Sequence, residues 1–237
     1  MLSIIIPTYN EESTIGGQLA RLVCLDRCEI LVADGSSTDR TAEIAARWCR
    51  VVVTQRNRGM QLNAGAAVAR GEALLFLHAD AVLSRDAPQA IREALRDPRI
   101  VGGNFRVIFS GDSLTSRAFT RINLWRRYFG IYYGDSGIFV RREVFVEMGG
   151  FRPMPIMDDY EFTRRLECRG RTVCLRQPLV VSARRWEKQG AFLAMLSWFV
   201  IQSLYYLGVP PRWLARLYAP VRGRPEVRAP RLTRAEE

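Results

Sequence analysis

Short apolar runs alternate with amphipathic stretches along the first hundred residues. LSIII at 2–6 is a run closed by Pro7, and Ile15, Leu19, Leu22 and Val23 then recur at helical spacing within 12–24. EILVA at 29–33 predicts a second strand ending at Asp34. GSST turns the chain, and Thr38 or Asp39 is placed to cap a helix running to Trp48. VVVT at 51–54 is a third strand, followed by a small-residue helix over about 59–70. The fourth strand begins in LLFL and is expected to reach Asp80, with a further helix at 88–95.

Strand and helix alternating at such intervals predict βαβ units. The fold class is α/β: a Rossmann-like, mostly parallel twisted sheet with helices on both faces. In such sheets a ligand binds at the carboxyl ends of the strands, where Tyr9, Asp34 and Asp80 stand. Past residue 100 the alternation weakens. Strands are predicted at 103–109, 137–140, 173–175 and 179–181, and helices at 114–128 and 157–169. Residues 191–211 carry no charge, and the proline- and arginine-rich stretch after residue 220 reads as disordered.

Composition narrows the class. Apolar residues make up 48% of 237, enough for a substantial core, and the net charge is +11 from 35 basic and 24 acidic residues. All the basic residues but Lys188 are arginine, whose guanidinium pairs with phosphates bidentately. No zinc-finger, RRM or basic-zipper pattern accompanies that charge, so nucleic acid is not the expected partner. Five cysteines form no CxxC pair, and the N-terminus lacks a basic, long apolar leader. Both features predict reduced thiols and a cytoplasmic location, with the inner face of a membrane as the alternative. No GxGxxG follows the first strand, which argues against a dinucleotide-binding Rossmann domain, and no GxxxxGK[ST] exists, which excludes a P-loop NTPase.

SIIIPTYNEESTI, ILVADGSSTDRT, RGMQLNAGAAVARGEALLFLHAD, GDSGIFVRREVFVEMGGF and MDDYEFTRRL follow one another in this chain. Their order and spacing resemble the family 2 glycosyltransferases of the GT-A fold, closest to a small bacterial subgroup with HAD, GD-G-F and SARRWE motifs. The resemblance spans about residues 2–187. It implies a GT-A domain over 1–187, with a nucleotide-sugar-binding half at 1–100 and an acceptor and catalytic half at 101–187. An apolar helical appendage at 188–219 and a disordered tail at 220–237 would follow.

The resemblance also implies a mechanism and a set of site residues. The enzyme would be a metal-dependent, inverting transferase moving a sugar from a UDP- or GDP-sugar to a hydroxyl acceptor, which is lipid-linked in some related enzymes. Asp80 matches the last position of the family's DxD and would bind Mn2+ or Mg2+, with Ala79 beside it; His78 replaces the first Asp as a further candidate ligand. Pro7, Thr8, Tyr9 and Glu11 would form one side of the nucleotide pocket, Tyr9 stacking on the base and Glu11 meeting the ribose. Asp34 would accept from base or ribose, and Arg58 would meet phosphate or base. Asp135 would contact sugar or acceptor hydroxyls. Asp159 takes the place of the general base, positioned by Asp158. Arg185 and Trp186 resemble the RW element of related synthases. Two other readings stay open: a polyprenyl-phosphate sugar transferase at the membrane, and a non-catalytic nucleotide-sugar-binding protein.

The uncharged stretch has three readings: a minimal membrane span, a peripheral membrane contact through 191–209, or a helix buried in the domain or in a homodimer.

Overall fold

A computed structural model describes residues 1–110, 114–181 and 191–217; Arg185, Trp186 and the expected tail fall outside the described residues. The first half is β1 (Leu2–Thr8), α1 (Ile15–Leu22), β2 (Cys28–Asp34), α2 (Thr41–Ala46), β3 (Arg50–Val53), α3 (Arg58–Val68) and β4 (Ala73–Phe76). The second half contributes β5 (Val82–Leu83), α4 (Ala87–Ala94), β6 (Ile100–Phe109), α5 (Leu114–Tyr128), β7 (Ile138–Arg141), α6 (Arg142–Glu147), α7 (Asp158–Arg169) and β8 (Arg171–Val181). The chain described then ends in α8 (Ala191–Tyr206) and α9 (Pro211–Leu217).

The strands form one sheet in the order β3-β2-β1-β4-β7-β6-β8-β5. β1, β2, β3 and β4 pair in parallel. β7 runs antiparallel between β4 and β6, which returns β6 and its parallel neighbour β8 to the direction of β1. The carboxyl ends of β1, β2, β4, β6 and β8 therefore share one edge of the sheet.

Burial on both faces explains the unbroken apolar runs. Ile4 and Ile6 of β1 pack with Ile15 and Leu19 of α1 and Ile91 of α4, while Ile5, between them, packs with Leu62 and Ala66 of α3 and Phe162 of α7. The small residues of α3 let it lie close to the sheet: a Cβ at Gly65 would come within 2.5 Å of Ile5 Cγ2.

The structure departs from the expected elements in three places. β4 stops at Phe76 rather than Asp80. Leu77 N–H still donates to Ile5 O at 3.0 Å, but His78 O then accepts from Ala81 N–H at 3.2 Å and turns the chain. Residues 171–181 make one strand, not two short ones; the register on β6 jumps from Leu175 to Pro178, so a bulge absorbs the proline that cannot donate to the ladder. The uncharged stretch is not a span. α8 has 16 residues, about 24 Å of helix against a bilayer core of about 30 Å. No helix among the described residues is long and apolar enough to cross a membrane. Instead Ile201 of α8 and Leu214 of α9 are buried with Tyr133, Ile156, Met157 and Tyr160.

Four aromatic rings anchor the face that carries α7. Phe162 stacks on Phe151 at 4.2 Å between centroids and meets Phe145 at 5.6 Å and Phe76 at 6.3 Å. Phe162→Ala removes the ring at the centre of this packing and is expected to cost about 3–5 kcal/mol. Urea unfolding would show this as a lowered midpoint with an unchanged slope.

Candidate functional site

A cavity of about 640 Å³ opens on the carboxyl edge of the sheet. From the β1–β4 side it is lined by Tyr9, Arg56, Arg58, Gln61, His78 and Asp80, with Asp135, Asp158 and Asp159 reaching in from the second half of the chain. From the β6–β8 side come Phe109 and Val181 at the strand ends, Ile122 and Arg126 of α5, and Trp198 of α8. One flank is polar and charged, and the other is largely apolar.

Arg58, the first residue of α3, joins the two flanks. Its Nε and Nη2 donate to Asp158 Oδ2 and Oδ1 at 2.9 and 2.6 Å, and Nη2 also lies 2.9 Å from Asp159 Oδ2. Two neighbours hold the same segment. Asn57 caps α3 by accepting from Met60 N–H, and its Nδ2 donates to Met154 O. Asn63 exchanges two hydrogen bonds with the Phe151 backbone, each 2.8 Å. Gly59 completes the fit, because a Cβ there would meet Arg152 O at 2.7 Å. Met157, immediately before the acidic pair, adopts a left-handed φ of 65° with its side chain buried.

Asp159 also accepts from Gly134 N–H and Tyr160 N–H, both at 2.8 Å. Burial opposes its ionisation, but the Arg58 charge and these two N–H groups outweigh burial and hold its pKa below the usual carboxylate value. His78 moves in the direction of neutrality: burial, and then the nearby Arg58 charge, lower its pKa against the pull of Asp80, Asp159 and Asp158. Asp135 is the opposite case to Asp159. Its Oδ1 is buried with no hydrogen-bond partner, and burial, reinforced by Asp159, pushes its pKa up to about 6.

No group of three His, Cys, Asp or Glu side chains among the described residues is arranged to cage a metal. The cavity instead offers the Asp80 carboxylate, the His78 imidazole and the orphaned Asp135 oxygen. Of these, the Asp80 carboxylate suits a Mg2+- or Mn2+-type cation, which takes one or two carboxylates and completes its shell with substrate phosphates.

Several residues singled out in the sequence stand elsewhere. Asp34 is buried beneath the cavity, its carboxylate taken by Thr8 Oγ1, Ser37 Oγ and Ser37 N–H. Thr8 is thereby engaged as well. Glu11 accepts from Thr14 Oγ1 at the head of α1. Neither Asp34 nor Glu11 lines the cavity. Ala79 is in the core, and Pro7 lines a small recess beside Arg58, His78 and Asp159. Trp198, in the uncharged stretch, packs on Tyr133 at 5.5 Å and faces the cavity. Gln61 was not apparent from the sequence: its Nε2 donates to Thr8 O and Ala33 O at 2.8 and 2.9 Å, bridging the ends of β1 and β2. The only signal was an amide on the buried side of a small-residue helix.

The family model for glycosyl transferase family 2 matches residues 3–154, more than half the chain. The protein named probable glycosyltransferase YdaM of Bacillus subtilis is 26% identical over 194 residues, covering 70% of this chain and 46% of that protein. The chain thus spans about half the length of that relative. The fold matches the mannosyltransferase PcManGT from Pyrobaculum calidifontis, solved with GDP-Man and Mn2+, at a TM-score of 0.60 and 22% identity over 76% of this chain and 56% of that one. S. aureus TarS 1–349, solved with UDP-GlcNAc, matches at 0.58 and 20% over 76% and 58%.

Two substitutions probe the electrostatics. Arg58→Ala leaves two buried carboxylates unpaired and should cost about 3 kcal/mol at neutral pH, the low end for a broken buried pair because Arg58 is 32% exposed. A depressed carboxylate contributes stability above its unfolded pKa and loses it as pH falls through the folded one. The deficit should therefore shrink in acid, and melting curves across pH would show it. Asp135 has the reverse sign, since the folded state binds the proton more tightly and stability falls as pH rises from about 4 to about 6. Asp135→Asn should raise the melting temperature at pH 7–8, with the gain vanishing below about pH 4.

Proposed function

This chain belongs to glycosyl transferase family 2, and we propose that it transfers a sugar from a UDP- or GDP-sugar to a hydroxyl acceptor with inversion at the anomeric carbon. The observation that carries this reading is the convergence of Asp80, Asp135 and Asp159 with Arg58 in one cavity on the carboxyl edge of the sheet. The nucleotide sugars and Mn2+ bound to the matching structures support a donor of that class.

The donor's base enters beside Tyr9, whose ring already stacks under the Arg56 guanidinium at 3.9 Å. Asp80, with His78 next to it, would hold Mn2+ or Mg2+. The cation, when bound, neutralises charge gained by the departing diphosphate. The acceptor approaches from the apolar flank. Its oxygen attacks the anomeric carbon as the bond to the diphosphate oxygen breaks, and its proton passes to the Asp159 carboxylate. Asp158 acts through Arg58, which fixes the position of Asp159 rather than reaching for phosphate. Asp34 and Glu11 shape the nucleotide side from behind.

A second assignment of the proton, to Asp135, is favoured by its unpartnered buried oxygen and a pKa near 6, closer to the working range of a base. For the acceptor, a polyprenyl-phosphate is the second reading, favoured by the apolar lining of Phe109, Ile122, Val181 and Trp198.

Asp159→Asn should lower turnover by about 10²–10⁴-fold while donor binding, read as a nucleotide-induced rise in melting temperature, survives. If Asp135→Asn shows that pattern instead, and Asp159→Asn keeps its rate, the proton belongs to Asp135. Asp80→Ala should abolish Mn2+-dependent release of nucleotide from the donor; retained release would remove Asp80 from the metal's shell.

A further inference from the structure

α5 turns its inner side to the cavity through Ile122 and Arg126, and its outer side is unlike the surface of an ordinary amphipathic helix. Arg117, Arg121, Leu124, Trp125, Tyr128 and Phe129 recur at helical spacing and are all exposed. The aromatic trio is 66%, 87% and 53% exposed at Trp125, Tyr128 and Phe129, and its rings contact one another at 5.0 and 5.5 Å. The helix contains no acidic residue. The other helices of this flank repeat the pattern. α8 supplies Trp198 to the cavity but exposes Phe199, and α9 exposes Trp213 with Arg216 laid over its ring at 4.5 Å.

Rings suited to a water–hydrocarbon boundary, interleaved with guanidinium groups on a helix without acidic residues, are the chemistry of a helix lying in an anionic interface. Clustered exposed apolar side chains rimmed by polar residues mark protein or membrane interaction sites. The chain's +11 charge favours a negative partner, and that charge is arginine, which binds phosphate oxygens bidentately.

We propose that the outer face of α5, together with the exposed side of α8 and α9, docks on an anionic lipid surface, so that the cavity between these helices takes an acceptor held in the membrane. The docking stands on the surface alone. The origin of the acceptor rests on the transferase reading given above.

The full chain would be floated with vesicles containing phosphatidylglycerol and, separately, with pure phosphatidylcholine vesicles. Wild type should rise with the anionic vesicles at about 0.05 M salt and be largely released at about 0.5 M. Trp125→Ser/Tyr128→Ser/Phe129→Ser should cut the bound fraction at least about tenfold, and Arg117→Glu/Arg121→Glu should do the same. Both variants should keep the wild-type melting temperature and its rise with nucleotide and Mn2+, because the altered residues are exposed. Wild type that stays with the lipid-free fraction, or variants that float like wild type, would overturn the docking. So would a dimer, seen by light scattering and dissolved by the aromatic substitutions, in a protein that ignores vesicles: the face would then belong to a second copy. Loss of nucleotide-induced stabilisation in wild type with flotation intact would count against the transferase reading alone.

Discussion

The contact between Arg58 and the two aspartates at the head of α7 decides whether this molecule has a site at all. It joins residues a hundred positions apart, one at the head of α3 and the other at the head of α7. A guanidinium satisfies both carboxylates because its planar fork serves Asp158 with two donors and still reaches Asp159. Without that charge, two neighbouring carboxylates at a buried helix start would repel each other and be costly to ionise. The amide bonds of Asn57 and Asn63 run alongside it, so α3 grips the whole 151–158 segment rather than one residue.

That grip sets the different protonation tendencies in the cavity. Asp159 is held ionised by partners, the pKa of Asp135 is raised by burial, and His78 is desolvated toward its uncharged form. Three titratable groups in one pocket are thus given distinct characters by their surroundings, the pattern expected where protons and phosphates are handled. The apolar flank from β6, β8, α5 and α8 supplies the complementary half, where a substrate with little charge can be desolvated.

Much of this was legible from the sequence because burial on both faces writes a plain signal. The runs at 2–6, 29–33 and 74–77 had to be central strands, and their polar ends had to lie on one rim. The pairing of Asp158 and Asp159 before an amphipathic helix was equally visible. What was hidden depends on long-range packing. A strand end at Asp34 does not reveal whether its carboxylate faces a ligand or is consumed by Thr8 and Ser37. Arg58 reads as a phosphate ligand until the acidic pair is brought beside it. The uncharged stretch at 191–211 leaves a span, a membrane contact and a buried helix all open, because hydropathy alone does not show that Trp198 and Ile201 turn inward while Phe199 turns out. Residues 173–175 and 179–181 read as two strands, and only pairing with β6 shows that a bulge carries one strand through Pro178.

The left-handed turn at Met157 limits how the protein can drift. Glycine would adopt that backbone at no steric cost but would vacate the space the thioether fills among Tyr133, Ile156 and Tyr160. A branched residue would fill the space and resist the dihedral. A long, unbranched, pliable side chain meets both demands, so few substitutions here would leave the neighbouring carboxylates where they are. The position has no chemical role in any reading of the reaction, yet its tolerance to change should be as narrow as that of a residue that has one.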